Sequence, residues 1–334
     1  MRERGVWALA WKRFRRDRLG FASLIVVAAY VVLVLAVASG LLARDWESEA
    51  GVNFAPPTFI GAEAGEASTV KKLEVARPVS DYGIPDPLGP DLEAIEKSLS
   101  GKSRDQARAL TLPLGGDKWG RDVLKKAVKG TETSLFVGLA AAILATFIGT
   151  LFGALAGFRG GKVDDFFNWL YSVLTSIPYL LLVLTVAAVV NQKGVMTVIL
   201  ILGLTGWTGI FRLIRAEYMK HKVREYVMAA DAIGASNGRR MFVHILPNVS
   251  HVVLVQLSLH VVLFIKSEVI LTFLGYGVSV DTVSWGSMLA EAGTELLLGK
   301  WWQLTVATVF MAVLVTAFSL FTDAMRDALD PRLK

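Results

Sequence analysis

Apolar residues along this chain come in long unbroken runs, unlike the alternation of a half-buried strand or the single stripe of a surface helix. Six runs approach the roughly 20 residues that cross a bilayer: 19–43, 134–158, 166–190, 195–214, 249–274 and 302–321. A stretch of different character, 44–133, separates the first two, with Pro56, Pro57, Pro78, Pro85, Pro87, Pro90 and Pro113 scattered among charges. It reads as an external insertion. Within it, Leu92, Ile95 and Leu99 recur at helical spacing behind a candidate N-cap, Asp91, so a short amphipathic helix over 91–99 stands beside an irregular proline-rich linker as the two readings. Helices satisfy all their backbone groups within one segment, so the expected fold is an all-α polytopic membrane protein. It has about six transmembrane helices and a long external loop between the first two.

Composition agrees. Of 334 residues 54% are hydrophobic and 19% charged, and mean hydropathy is +0.51, which excludes an ordinary soluble globule. There is no cysteine, which removes disulfides, thiolate metal sites and cysteine nucleophiles together. The net charge of +6 is distributed as an orientation signal, not as a nucleic-acid surface. Arg2, Arg4, Lys12, Arg13, Arg15, Arg16 and Arg18 precede the first run, and Arg212, Arg215, Lys220, Lys222, Arg224, Arg239 and Arg240 lie between the fourth and fifth. The connections 191–194 and 275–301 carry one each, Lys193 and Lys300. This places both termini in the cytoplasm. Arg121, Lys125, Lys126 and Lys129 fall on the other side, at the end of a loop long enough to translocate regardless of charge. Ala36-Val37-Ala38 could end a signal peptide, but the apolar stretch before it exceeds the usual 7 to about 15 residues, so an uncleaved first span is preferred.

Several residues carry more than hydropathy. Gly149, Gly153 and Gly157, four apart in the second run, share one face and invite close helix packing. Pro178 sits in the middle of the third run, where it should kink the helix or open it toward a translocation path. The fifth run holds Gln256, His260, Ser267 and Glu268; the first three fall on one side and form a candidate path-lining stripe, with Glu268 an intramembrane carboxylate beside it. Gly101-Lys102-Ser103 has only the tail of a phosphate-binding loop, since Glu96 replaces the required glycine. The histidines at 221, 244, 251 and 260 lack metal-ligand spacing, so no metal, cofactor or catalytic site is expected in this chain.

Between the fourth and fifth runs, Ala229-Ala230, Gly234 and Leu246-Pro247-Asn248 resemble the EAA loop of ABC importer permeases. An ordinary cytoplasmic loop helix is the plain alternative for these residues alone. Other motifs point the same way: Leu114-Gly115-Gly116-Asp117, Gly120-Arg121-Asp122-Val123, Asp164, Pro178-Tyr179-Leu180-Leu181, Glu268 with Phe273-Leu274-Gly275-Tyr276-Gly277, Trp285-Gly286, and Arg326-Asp327-Ala328-Leu329-Asp330-Pro331-Arg332. Over 12–43 and 112–334 the chain is similar to the second permease subunit of oligopeptide/dipeptide ABC importers. Met228 departs from the pattern, standing where the loop motif has Glu.

The resemblance implies the type I importer permease fold and an organisation into a basic cytoplasmic tail (1–18), a first helix (19–43), an external loop (44–133), a five-helix core (134–322) containing a cytoplasmic coupling loop (215–248), and a cytoplasmic tail (323–334). It implies a non-enzymatic transport subunit in the cell inner membrane. Its partners would be a second homologous permease, two ABC ATPase subunits that bind ATP and magnesium, an external solute-binding protein, a peptide or peptide-like solute, and membrane lipid. Docking of the ATPase would fall to a lever helix over 225–238. Glu225, Ala229, Ala230, Asp231, Gly234, Ala235, Arg239, Arg240 and Pro247 are the candidate coupling residues, with Glu225 or Asp231 replacing the missing Glu charge and Arg239 and Arg240 contacting acidic ATPase surface. A stand-alone carrier or channel is the alternative function, and a membrane enzyme a more distant one.

Overall fold

A computed structural model describes residues 11, 13–61 and 108–329 of the chain. The 91–99 helix, the Gly101-Lys102-Ser103 segment, Arg2, Arg4, Lys12 and the Asp330-Pro331-Arg332 end lie outside the described residues.

Helix α1 spans Arg18–Ala38, opened by Asp17, whose carboxylate accepts from the Leu19 N–H at 3.0 Å. It stops five residues short of the expected boundary, where Gly40 and Ala43 turn the chain with φ of 76° and 52°. Helix α2, Val123–Arg159, runs 37 residues, about 55 Å at 1.5 Å per residue. It starts well before the expected residue 134. The cause is Asp122, which caps the Leu124 and Lys125 N–H groups and starts a polar first section that hydropathy alone does not include.

The third and fourth apolar runs are each broken. Helices α3 (Gly161–Thr175) and α4 (Tyr179–Val190) meet at 87° around Ser176-Ile177-Pro178, so the expected kink is nearly a right angle. Pro178 takes the N-cap position of α4, where its missing N–H costs no hydrogen bond. Helices α5 (Val195–Thr205) and α6 (Thr208–His221) bend by 41° at Gly206-Trp207. Then come α7 (Glu225–Ala232), one turn at Asn237–Arg239, a π-turn over Arg240–Ile245, and α8 (Leu246–Phe273). Pro247, which cannot donate into a helix, follows directly on the wide π-turn. Helix α9 (Trp285–Leu297) occupies what the sequence suggested was a plain connection, and α10 (Trp302–Leu329) carries on past the expected end of its span.

Among the described residues four helices are long and apolar enough to cross a membrane, or up to six if each bent pair counts as one span. Among the described residues there are no strands, only isolated bridges that lay 49–57 against 109–122. Helix α2 is the axis of the core. Val137, Ala141 and Ala145 pack with Ile201 and Leu202 of α5, Phe264 and Ile265 of α8, Trp285 and Met288 of α9, and Leu314 of α10. A second cluster lies toward the α7 end, where Ala154, Ile210, Ile214 and Tyr218 meet Val227, Met241, Ile245 and Val249.

Candidate functional site

The expected coupling segment is a short helix held from beneath. Val227 and Ala230, three apart, are both buried, Val227 in one cluster with Tyr218, Met241 and Ile245, while Glu225, Tyr226, Met228 and Ala229 face outward. Helix α7 ends in a Schellman motif: Ala235 N–H donates to Ala230 O and Gly234 N–H to Asp231 O, both at 2.9 Å. Gly234 takes φ of 84°, and a Cβ there would meet nothing within 4 Å. The expected 225–238 lever is thus corrected to the eight residues Glu225–Ala232. Gly234 closes this helix by its left-handed backbone instead of thinning a packing face. Ile233, just before it, is 86% exposed.

Charges in this segment bind one another. Arg240 Nη1 lies 2.6 Å from Asp231 Oδ1, and its guanidinium stacks over Phe158 at 5.4 Å. Arg240 and Asp231 therefore brace α7 against the π-turn, with Arg240 mostly covered and Asp231 still largely exposed. Arg239, Ala235 and Pro247 stay at the surface or partly so, and Glu225 and Asp231 are both exposed carboxylates of α7, Asp231 already paired with Arg240. A neighbouring link was missed from sequence: Arg215 of α6 forks onto Asp164 of α3, with Nε–Oδ1 2.5 Å and Nη2–Oδ2 2.6 Å. Lys222 Nζ donates to the Phe158 carbonyl at 3.2 Å.

Gly149, Gly153 and Gly157 lie along α6. A Cβ on Gly149 would stand 2.6 Å from Trp207 O, one on Gly153 2.8 Å from Phe211 O, and one on Gly157 2.4 Å from Arg215 O. Two backbones meet here without side chains between them, which fixes α6 and the entry to α7 relative to α2.

The five residues expected near a path are dispersed. Pro178 is exposed at the α3–α4 corner and Gln256 is half-buried. His260 is 5% exposed, its Nδ1 2.9 Å from Thr146 Oγ1 and its ring stacked on Phe264. Ser267 turns back to the Leu263 carbonyl at 2.9 Å. Glu268, with no exposed surface, accepts from Ser134 Oγ and Thr272 Oγ1, each at 2.9 Å, while Ser134 Oγ also accepts from Trp285 N–H. His260, Ser267 and Glu268 are thus enclosed by the chain's own helices.

At the opposite end of α2 lies a buried charge cluster that sequence reading did not assemble. Lys126 Nζ is 2.8 Å from Asp117 Oδ2 and also pairs with Glu291, which accepts from Gln303 Nε2 at 3.1 Å. Glu295 accepts from the Lys118 N–H at 3.2 Å. Burial pushes the Glu295 carboxyl up to about 7, with Lys126 opposing and Asp117 and Glu291 reinforcing the shift. The clue in sequence was the polar 117–129 run ahead of an apolar one. Among the described residues no group of three His, Asp or Glu side chains could hold a metal ion.

The chain is 36% identical over 220 residues to the dipeptide transport system permease protein DppC of Bacillus subtilis, covering 66% of this chain and 68% of that protein. It is equally identical over 220 residues to the oligopeptide transport system permease protein OppC of the same organism, covering 72% of it. DppC of Lactococcus lactis is 29% identical over 97% of this chain and 90% of its own length. Residues 5–57 match the N-terminal TM domain of oligopeptide transport permease C, and residues 149–334 match the binding-protein-dependent transport system inner membrane component. The second match contains every candidate coupling residue, both broken helix pairs and the buried Glu268. This multi-pass inner-membrane chain belongs to the family of binding-protein-dependent transport system inner membrane components.

Proposed function

We propose that the chain is one permease subunit of an ATP-driven importer of peptides or peptide-like solutes. A second homologous permease completes the pathway, an external binding protein delivers the solute, and two ABC ATPase subunits, which hold ATP and magnesium, dock on α7. Both termini and α7 then face the cytoplasm. The chain itself performs no chemistry.

The observation that carries this reading is α7: a helix exposed on one face, closed by a rigid turn and braced by Asp231–Arg240, attached through α6 to the long α2. Helix-in-groove docking suits such an element. With Met228, which is 54% exposed, in place of the usual Glu, fit depends on apolar shape supplied by Tyr226, Met228 and Ile233. Opening and closing follow as rigid-body movement biased by the different affinity of the ATPases for ATP in the two states.

The test is purification of the tagged chain in mild detergent from its native host, followed by ATPase and peptide-uptake assays in proteoliposomes with the binding protein. Co-purifying ATPases and ATP-dependent peptide uptake support the reading. A stable chain that brings no ATPase, or moves solute without ATP, makes it a carrier or channel.

A further inference from the structure

The turn between α9 and α10 leaves three consecutive leucines uncovered: Leu296, Leu297 and Leu298 are 47%, 87% and 62% exposed. This is not a loose loop. Lys300 N–H donates to Glu295 O at 3.0 Å, Gly299 N–H donates to Leu296 O at 2.9 Å, and Gly299 takes φ of 75°. The other face of α9, with Trp285, Met288, Ala292 and Glu295, is buried against the chain. Beside the leucines stand Trp301, 40% exposed, and Phe59, 68% exposed, their rings 6.5 Å apart. Leaving a leucine side chain in water is unfavourable, so a fixed turn that presents three of them implies an apolar surrounding.

Position says which surrounding. Trp302 opens α10, a candidate membrane span, so Leu297 stands five residues from its first residue. Trp301, Val309 and Val313, all exposed, recur at multiples of four, so the exposed apolar face of α10 continues from this corner, and Leu296 to Gly299 offer no side-chain hydrogen-bonding group of the kind that rims a protein-docking patch. Leu296-Leu297-Leu298-Gly299-Lys300-Trp301 combines apolar groups with a lysine and an exposed tryptophan of the kinds that favour the headgroup level, while Trp302 is buried in the chain.

We propose that the α9–α10 corner dips into the lipid leaflet farther from α7. Leu296, Leu297 and Leu298 sit among the upper acyl chains, and Trp301 and Phe59 at the headgroups. Lipid thereby anchors α9, the helix that carries Glu291 and Glu295 to Lys126 and Trp285 to Ser134. The inference rests on the permease reading only in placing the chain in a bilayer.

The chain has no cysteine, so Leu297→Cys provides a single thiol in it for an environment-sensitive fluorophore. The complete transporter, its partner subunits freed of reactive cysteines, is reconstituted in phosphatidylethanolamine–phosphatidylglycerol vesicles with part of the lipid brominated high on the acyl chain. Expected is loss of most of the emission to brominated lipid and protection from iodide, with Ser48→Cys, on the exposed 44–49 segment, showing the reverse. Leu296→Cys repeats the test should labelling at 297 impair assembly. Quenching by iodide without quenching by lipid places the corner in water and overturns the proposal. Protection from both quenchers, or loss of lipid quenching when the binding protein is added, means that protein covers it and overturns the proposal equally. Peptide uptake by the same vesicles reports separately on the permease reading.

Discussion

Ser134 donates its hydroxyl to Glu268 across 2.9 Å, and neither side chain meets solvent. The pair joins α2 to α8, and because Ser134 Oγ also accepts from the Trp285 N–H at 3.2 Å, it fixes the start of α9 as well. Truncating Glu268 to Ala leaves the Ser134 and Thr272 hydroxyls without their acceptor in a buried place, at a cost on the order of 1–3 kcal/mol for each orphaned group. Ser134→Ala removes one donor from Glu268 and leaves the single Trp285 N–H without its acceptor, at a cost on the order of 1–3 kcal/mol in all, against two orphaned hydroxyls in Glu268→Ala. Thermal unfolding in detergent checks both, and the expected order of midpoints is wild type, Ser134→Ala, Glu268→Ala. Equal midpoints for all three would remove the pair from the stability of the chain.

The Lys126 cluster sets a pH dependence through Glu295. Its folded carboxyl titrates at about 7 against an ordinary 4.5, so between these values the folded chain holds a proton that the unfolded chain has released. The stability this supplies is fully present below 4.5 and is lost as pH rises through about 7. Glu295→Gln, which is neutral throughout, should flatten the dependence. Unfolding midpoints at about pH 5 and about pH 8 should differ less in the variant than in wild type.

Close approach of α2 and α6 at Gly157 allows no side chain. A Cβ would stand 2.4 Å from the Arg215 carbonyl, which belongs to the α6 backbone and cannot swing aside. Gly157→Ala should destabilise by about 1–3 kcal/mol, as overpacking does. Gly238→Ala, where a Cβ meets nothing within 4 Å, should stay within about 0.5 kcal/mol of wild type. Their unfolding midpoints in the same detergent decide.

At Gly234 the sensitivity is conformational, since space is open there but φ is 84°. Gly234→Asn, a residue that tolerates the left-handed region, should keep most peptide uptake. Gly234→Leu should lose it at normal abundance through a cost of roughly 1–2 kcal/mol that unwinds the end of α7. Uptake per assembled transporter is the measurement. Equal loss in both variants would point to bulk at the docking face instead of backbone conformation.

How much the sequence disclosed depended on the physics of each element. Long apolar runs located α1, α8 and α10 because hydropathy is a sum over many residues and tolerates local exceptions. It placed the start of α2 late because Lys125, Lys126 and Lys129 look like loop residues until Asp45, Asp117 with Glu291, and Glu132 are seen to pair with them in turn. Helix α9 was hidden by its mixed composition, although Ser284 and Ser287 form a capping box. Pro178 announced a break, but a 3.6-residue periodicity carries no information on its angle. Within the coupling segment the residues were legible and their roles were less so. Asp231 and Arg240 lie nine apart in sequence, and only the turn at Gly234 brings them together.

Helix α3 has no buried residue and α4 only Val183 and Ala187, whereas α2 is clasped along its length by α5, α6 and α8. Stiffness is therefore unevenly shared. In the proposed permease, force arriving at α7 would pass through glycine contacts and buried aromatics that deform little, and then meet the Asp164–Arg215 fork and the 87° corner, beyond which few contacts resist. Compliance is concentrated in the α3–α4 elbow, so a small rotation at α7 would be spent there as displacement and not dispersed through the core.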